Sequence, residues 1–361
     1  MPSFASLSFG GNKKIYAAII ASLLILAMLV PSLREKYSEP VKAERESYKL
    51  GTVVRLTVYG SDEKKLDSAL TDAMNEIDRL EGLFSVNIPS SEISKVNSSK
   101  SGRVKVGREC ADITSFSLRQ AKMTNGAFDP TIEPIVKLWG IGTDSPRVPS
   151  SDEIKNALKY VDYKKISVKD GFIIKGEGQK LDMGAAAKGW IADRLAEMLK
   201  KRGIKSAIID LGGNLSVIGE SPKKRPWKLG LQHPAKPRGE YFAIVEASDT
   251  SVVTSGPYER NFTKDGHLYH HIFDTKTGYP AESDLASVTV ISQNSALADT
   301  LCTGLFAMGL EKASELVLSE GVSAVFVSKD YKNIYITKDI SSALSLKYDT
   351  MQLHIIEESK N

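Results

Sequence analysis

The sequence predicts an α+β fold built on a mixed sheet, and three observations carry that prediction. Short segments with every second residue apolar recur along the chain, as in Val54, Leu56 and Val58. Longer segments place apolar residues three and four apart, as in Leu66, Leu70, Ala73, Ile77, Leu80 and Phe84, the spacing that lines one face of a helix. The two kinds follow each other without the regular strand–helix–strand rhythm of a parallel, doubly wound sheet. At 361 residues, 42% of them apolar and 25% charged, the chain can bury one large core or two modest ones.

The first element is a run from Ile15 to Leu33 that contains no charge. As a helix its nineteen residues span roughly 28 Å, close to the ~30 Å of a bilayer's hydrocarbon core. Lys13 and Lys14 precede it, which keeps residues 1–14 cytoplasmic by the positive-inside rule. Residues 15–33 are therefore expected to be a transmembrane anchor; a cleaved signal segment is the alternative. Either way the remaining chain is exported. Residues 34–49 are charged, contain Pro40 and read as a linker, and one globular domain is expected over 50–361.

Within that domain the alternating run at Val54–Val58 predicts a strand closed by Gly60. The stripe from Leu66 to Phe84 predicts a helix capped by Ser61. Further helices are expected over Asp112–Met123, from the capping box Ser150-x-x-Glu153, over Ala186–Arg202 with Gly203 as the stop, and over Ser295–Met308. Lys165–Lys169 and Phe172–Lys175, joined at Asp170-Gly171, read as a hairpin. Ala207–Leu211, Lys228–Leu231, Phe242–Glu246, Tyr269–Phe273, Val288–Ile291, Ala324–Val327 and Ile334–Ile336 read as strands.

Composition excludes several functions. The net charge is +4, half of it from the first forty residues, so the globular part is nearly neutral and carries no nucleic-acid footprint. Two distant cysteines, Cys110 and Cys302, exclude a disulfide framework. No CxxC or HExxH spacing offers zinc a home.

Chemistry concentrates in clusters of glycine and acid. Thr124-Asn-Gly-Ala-Phe-Asp-Pro-Thr131 and Leu138-Trp-Gly140 offer Phe128 as a stacking ring and Asp129 as a polar group; a loop whose Phe and Trp plug the core is the plainer alternative. Leu181-Asp182-Met-Gly184-Ala185-Ala-Ala-Lys188-Gly189 resembles the start of a helix, where free N–H groups favour phosphate, or else a tight packing turn. Asp210-Leu-Gly-Gly-Asn214 ends an apolar strand on an acid that needs a partner or a purpose. His270 and His271, adjacent on a strand, point to opposite faces, which argues for a single functional imidazole. Asp299 and Thr303 share a helix face four residues apart and are hard oxygen donors of the type Mg²⁺ takes, though such a pair is also ordinary helix surface.

Taken together and in order, these segments resemble the FAD:protein FMN transferases, the ApbE-type family, over roughly residues 48–340. The match runs through Gly51-Thr52, Phe84-Ser85, Ser91-Glu92-Ile93, Gly126–Thr131, Trp139-Gly140, Leu181-Asp182 and Ala187-Lys188-Gly189. It continues through Asp210–Asn214, Thr254-Ser-Gly256, Tyr258-x-Arg260, His271-Ile272, Thr277-Gly278 and Asp299-x-x-x-Thr303. The resemblance implies an exported α+β flavin transferase domain with two lobes enclosing an FAD cleft. It implies transfer of FMN from FAD to a Thr or Ser hydroxyl of a partner protein through a phosphoester, with Mg²⁺, releasing AMP. The partner it implies is an acceptor flavoprotein subunit of a membrane redox complex.

By position, the resemblance places Leu50, Asn87, Ala127, Phe128, Asp129, Asp182, Lys188 and Ile272 at the FAD site, and Ala185 (through its carbonyl), Asp299 and Thr303 at Mg²⁺. His271 is the expected base, with Asp182 second. Three positions depart from the family: Leu50 stands where Met is frequent, Asn87 where an aromatic is, and Thr275 where Pro is usual. A Mg²⁺-dependent FAD pyrophosphatase and a flavin-binding protein without chemistry are the alternatives.

Overall fold

The computed structural model describes residues 39–357 except 101 and 349. The anchor expected over 15–33 and the segment before it lie outside the described residues. Among the described residues no helix is long and apolar enough to cross a membrane. Lys42–Asn361 form one compact unit.

The strands in chain order are β1 (Val41–Lys49), β2 (Thr52–Gly60), β3 (Arg103–Lys105), β4 (Ser167–Lys169), β5 (Phe172–Ile174), β6 (Ser206–Leu211), β7 (Asn214–Ile218), β8 (Trp227–Gln232) and β9 (Tyr241–Ala247). They continue with β10 (Ser251–Ser255), β11 (Asn261–Lys264), β12 (His267–His270), β13 (Leu285–Ser292), β14 (Ser323–Ser328), β15 (Asn333–Thr337), β16 (Leu344–Leu346) and β17 (Gln352–Ile356). The helices are α1 (Glu63–Phe84), α2 (Glu92–Ser98), α3 (Arg108–Met123), α4 (Glu133–Trp139), α5 (Ser151–Leu158), α6 (Gly184–Lys201), α7 (Ser295–Met308) and α8 (Leu310–Glu320).

Nine strands form one sheet in the order β1-β2-β6-β7-β10-β13-β14-β15-β17. From β2 to β15 its neighbours run antiparallel, and β15–β17 is parallel, so the sheet is mixed as expected. The pleat sends alternate residues to opposite faces. In β14, Ala324 and Phe326 pack with Leu301, Leu305 and Phe306 of α7. Val325 and Val327 instead meet Leu229, Leu231 and Phe242 of a second sheet, β16-β9-β8. Val54, Leu56 and Val58 of β2 pack with Leu70, Ile77 and Leu195, from α1 and α6. A satellite core joins Ile135, Trp139, Ile154 and Phe273, held by Trp139 Nε1 donating to the Gly278 carbonyl at 2.9 Å.

Several boundaries correct the sequence reading. The end of the expected linker is strand β1. Two of its charges pair with α1: Arg45 reaches Asp67 (2.5 Å) and Thr71 (2.7 Å), and Lys49 pairs with Asp78. Helix α1 is capped by Asp62, not Ser61, through the Lys65 N–H at 3.1 Å. The strand expected over Tyr269–Phe273 lies earlier, at His267–His270, because its partner β11 ends the hairpin there; Phe273 keeps only an isolated bridge to Pro280. The capping box at Ser150 forms as expected.

Candidate active site

The site assembles where α6 crosses α7. Gly189 makes the crossing possible, since a Cβ there would lie 2.3 Å from the Ser295 carbonyl oxygen. At that contact the helices exchange carboxylates. Asp299 of α7 accepts from the Gly189 N–H at 2.9 Å, and Asp193 of α6 accepts from the Ser295 and Ala296 N–H groups at 2.8 and 2.9 Å. Asp193 thereby satisfies free donors in the first turn of α7. Burial pushes its carboxyl up to about 6, against those hydrogen bonds, and the Asp299 charge adds to the rise.

Lys188 completes the cluster. Its ammonium lies 3.0 and 3.3 Å from the two oxygens of the buried Asp299. Thr303 follows one turn along α7, its hydroxyl 3.5 Å from the Asp299 carbonyl. The Gly189 N–H taken by Asp299 is the one that a regular helix directs at the Ala185 carbonyl, so Asp299 competes for the donor of that carbonyl. The oxygens expected at Mg²⁺ are thus one carboxylate, one hydroxyl and one carbonyl whose helical donor also reaches Asp299. That set fits a hard cation that keeps waters and takes phosphate oxygens, and the Lys188 ammonium already shows the carboxylate holding positive charge. Among the described residues no group of three or more His, Cys, Asp or Glu could hold a metal, so a site here rests on a single acid.

The loop before α6 ties the next residues in. Asp182 accepts from the Gly184 N–H at 2.7 Å, and its own N–H donates to the Pro130 carbonyl at 2.8 Å. Burial raises the Asp182 carboxyl, while the Gly184 hydrogen bond and the charges of Arg260 and Lys188 hold it back. His271 accordingly shares a neighbourhood with Asp182 through those same two cations. Burial is the main cause of lowering its imidazole to about 4, with Arg260, His270 and Lys188 adding to it. Its Nδ1 lies 3.2 Å from the Arg260 carbonyl oxygen. A carbonyl only accepts, so Nδ1 carries the proton and Nε2 keeps its lone pair. His270 is a core residue: its Nδ1 accepts from the Ile272 N–H at 3.3 Å, and its ring stands edge-on to Phe306. His271 lies just past the end of β12 rather than on the strand with His270, and the two rings meet different surroundings.

The other expected residues divide. Phe128 is buried in the main core, and the absence of a side chain at Gly304 lets α7 approach its loop; an added Cβ would sit 2.9 Å from the Thr124 Cγ2. Asp129 spends one oxygen on its own loop, accepting from the Thr131 N–H (2.8 Å) and hydroxyl (2.6 Å), and the other on the Tyr163 N–H 34 residues away (3.0 Å). It shapes the turn that presents half-buried Ala127. Thr275, at the position that departs from the family, donates to the Gly126 carbonyl at 2.6 Å and so links the histidine segment to that turn. Ile272 is buried. Leu50 occupies the left-handed region at φ 54° in the β1–β2 turn, its N–H on Glu81 at 3.2 Å. Asn87 is exposed and bonds only locally, to the Ser85 hydroxyl at 3.2 Å.

A family model described as the ApbE family matches residues 50–326. The chain belongs to the ApbE family. It is 33% identical over 300 residues to the FAD:protein FMN transferase of Treponema pallidum, covering 78% of this chain and 83% of that protein. With a Klebsiella pneumoniae protein of the same name it shares 34% over 287 residues, 78% and 87% of the two chains. Among solved structures, the ApbE protein of Thermotoga maritima superposes with a TM-score of 0.78 at 30% identity, over 84% of this chain and 99% of that one. ApbE membership accounts for the order of the glycine and acid clusters.

Two site residues of this ApbE chain carry roles that sequence reasoning missed. Arg260 was visible only as a motif letter, although its carbonyl sets the His271 tautomer. Asp193 gave no signal, because its partners lie 102 and 103 residues away.

Proposed function

We propose that this protein transfers FMN from FAD to a Ser or Thr hydroxyl of a partner protein, forming a phosphoester and releasing AMP. The observation that carries the reading is the Lys188–Asp299 pair at the start of α6, beside an imidazole with a free Nε2. FAD would lie in a cleft between two lobes, its pyrophosphate near the start of α6, where the helix dipole favours anions although the Gly184, Ala186 and Ala187 N–H groups are already taken within the protein. Ala185, Asp299 and Thr303 would hold Mg²⁺, which supplies neutralisation of the charge that builds on the phosphoryl oxygens.

The acceptor oxygen forms a bond to the FMN phosphorus, and the bond from that phosphorus to the bridging oxygen breaks. AMP leaves with the bridging oxygen. The hydroxyl proton passes to Nε2 of His271, which is neutral above about pH 4 and held in orientation by the Arg260 carbonyl. Lys188 opposes negative charge on the departing phosphate. The domain acts on the periplasmic or outer face, tethered through residues 15–33, and its partner is an acceptor subunit of a membrane redox complex; the uncharged run after Lys13 and Lys14 supports that placement.

The test incubates the protein with FAD, Mg²⁺ and a candidate acceptor and weighs the acceptor. A gain of one FMN, abolished by chelator, is the expected result. Release of free FMN and AMP with no gain in acceptor mass would identify a pyrophosphatase instead.

A further inference from the structure

Arg260 is exposed at the site and makes no ion pair among the described residues, although its charge reaches Asp182. Its backbone is fixed, because its carbonyl accepts from both the N–H and Nδ1 of His271, each at 3.2 Å. Its side chain threads between two glycines in the left-handed region, Gly51 at φ 68° and Gly142 at φ 87°. A Cβ on Gly51 would stand 3.1 Å from Nη2, and one on Gly142 would stand 3.2 Å from Cδ. Both turns therefore leave room for this one side chain, which runs from the His271 carbonyl contact towards the β1–β2 turn.

The guanidinium is nevertheless underused. Its one described hydrogen bond is from Nη2 to the Gly51 carbonyl at 3.3 Å, and no ion pair to it occurs among the described residues. Lys188 shares its charge with Asp299. Of the two cations whose charge reaches Asp182 and His271, Arg260 is the one with donors to spare. A planar fork of N–H donors matches the oxygens of a phosphate better than an ammonium does.

We propose that Arg260 is a second phosphate-binding arm of the site, gripping the pyrophosphate of FAD while its carbonyl holds His271 in place. The assignment rests on FAD as donor, and it adds a residue to which the family resemblance gave no role. Binding of the anion at Arg260 places the phosphoryl group beside the base, through one residue that contacts both.

The experiment titrates FAD and ADP into the wild-type protein and into Arg260→Gln and Arg260→Lys by calorimetry, in the presence of chelator, with melting temperature as the structural control. Losing a charge-assisted pair of hydrogen bonds weakens phosphate binding by about 10- to 100-fold. Arg260→Gln should lose that much affinity for both ligands at an unchanged melting temperature, and Arg260→Lys should recover part of it. Wild-type affinity in Arg260→Gln overturns the assignment while leaving the transferase reading intact. A loss that Lys does not restore, together with a lowered melting temperature, also overturns it and makes Arg260 a prop for the β1–β2 turn. If the wild-type protein binds no FAD, the donor reading itself fails and takes the assignment with it.

Discussion

Asp299→Asn separates the chemical role of this acid from its structural one. The variant keeps an acceptor for the Gly189 N–H, which Asp299 binds at 2.9 Å, but removes the charge that faces Lys188 at 3.0 and 3.3 Å. Breaking a buried ion pair by removing one partner costs about 3–5 kcal/mol. Here the Lys188 side chain is 27% exposed and can turn its ammonium to water, so the cost should be nearer 1–3 kcal/mol. Thermal melting reads that part. Transfer should fall much further, by on the order of a hundredfold or more, because the charge that would hold Mg²⁺ is gone and each tenfold corresponds to about 1.4 kcal/mol of barrier. The assay is the mass gain of an acceptor at limiting Mg²⁺, with FAD saturating. A folded Asn variant that transfers FMN at near the wild-type rate would refute the argument, leaving Asp299 as a clamp between α6 and α7.

His271→Ala should slow transfer by about 10²–10⁴-fold while FAD still binds; equal losses in affinity and rate, measured by titration and turnover, would remove it as the base. Asp193 is raised to about 6 in the folded protein from an ordinary value near 4. Its contribution to stability is therefore fully present below about pH 4 and lost as pH rises through 6. Relative to Asp193→Asn, the wild type should lose roughly 2 kcal/mol between pH 4 and 6 in denaturant titrations, and a pH-independent difference would exclude that coupling. Gly189→Ala should destabilise by about 3 kcal/mol or more, since its Cβ would sit 2.3 Å from the Ser295 oxygen and 2.6 Å from the Ala296 Cα; an unchanged melting temperature would show that the helices can part.

What the sequence disclosed follows from periodicity. Helices α1, α3, α6 and α7 and strands β2, β6, β13 and β14 were legible because each buries one regular face or both. Strand β1 was not, because its half-buried face is Ala43, Arg45, Ser47 and Lys49, and the α1 partners of Arg45 and Lys49 are invisible until the fold brings them near. Short helix α4 was hidden by its own composition, with Pro134 beside a buried Glu133. At the site, resemblance supplied positions but not contacts. It named Lys188 and Asp299 without indicating that they pair across 111 residues, and it named Asp129 without indicating that its oxygens are spent on Thr131 and Tyr163.

The exchange of carboxylates between α6 and α7 explains why a site of this kind sits at a helix crossing. On α6, Gly189 gives an N–H to Asp299 and Asp193, four residues later, takes N–H groups from α7. On α7, Ser295 gives an N–H to Asp193 and Asp299, four residues later, takes one from α6. Each helix thus lends a donor and supplies an acid one turn on, which only helices in contact can do, and Gly189 permits that contact. When Lys188 turns towards a phosphate, the Gly189 N–H still holds the Asp299 carboxylate. The carboxylate stays aimed at Lys188 and the Gly189 N–H of α6. A pair of acids on two exposed surface helices would be screened and mobile; the crossing converts the same residue types into a fixed, buried charge with a cation beside it.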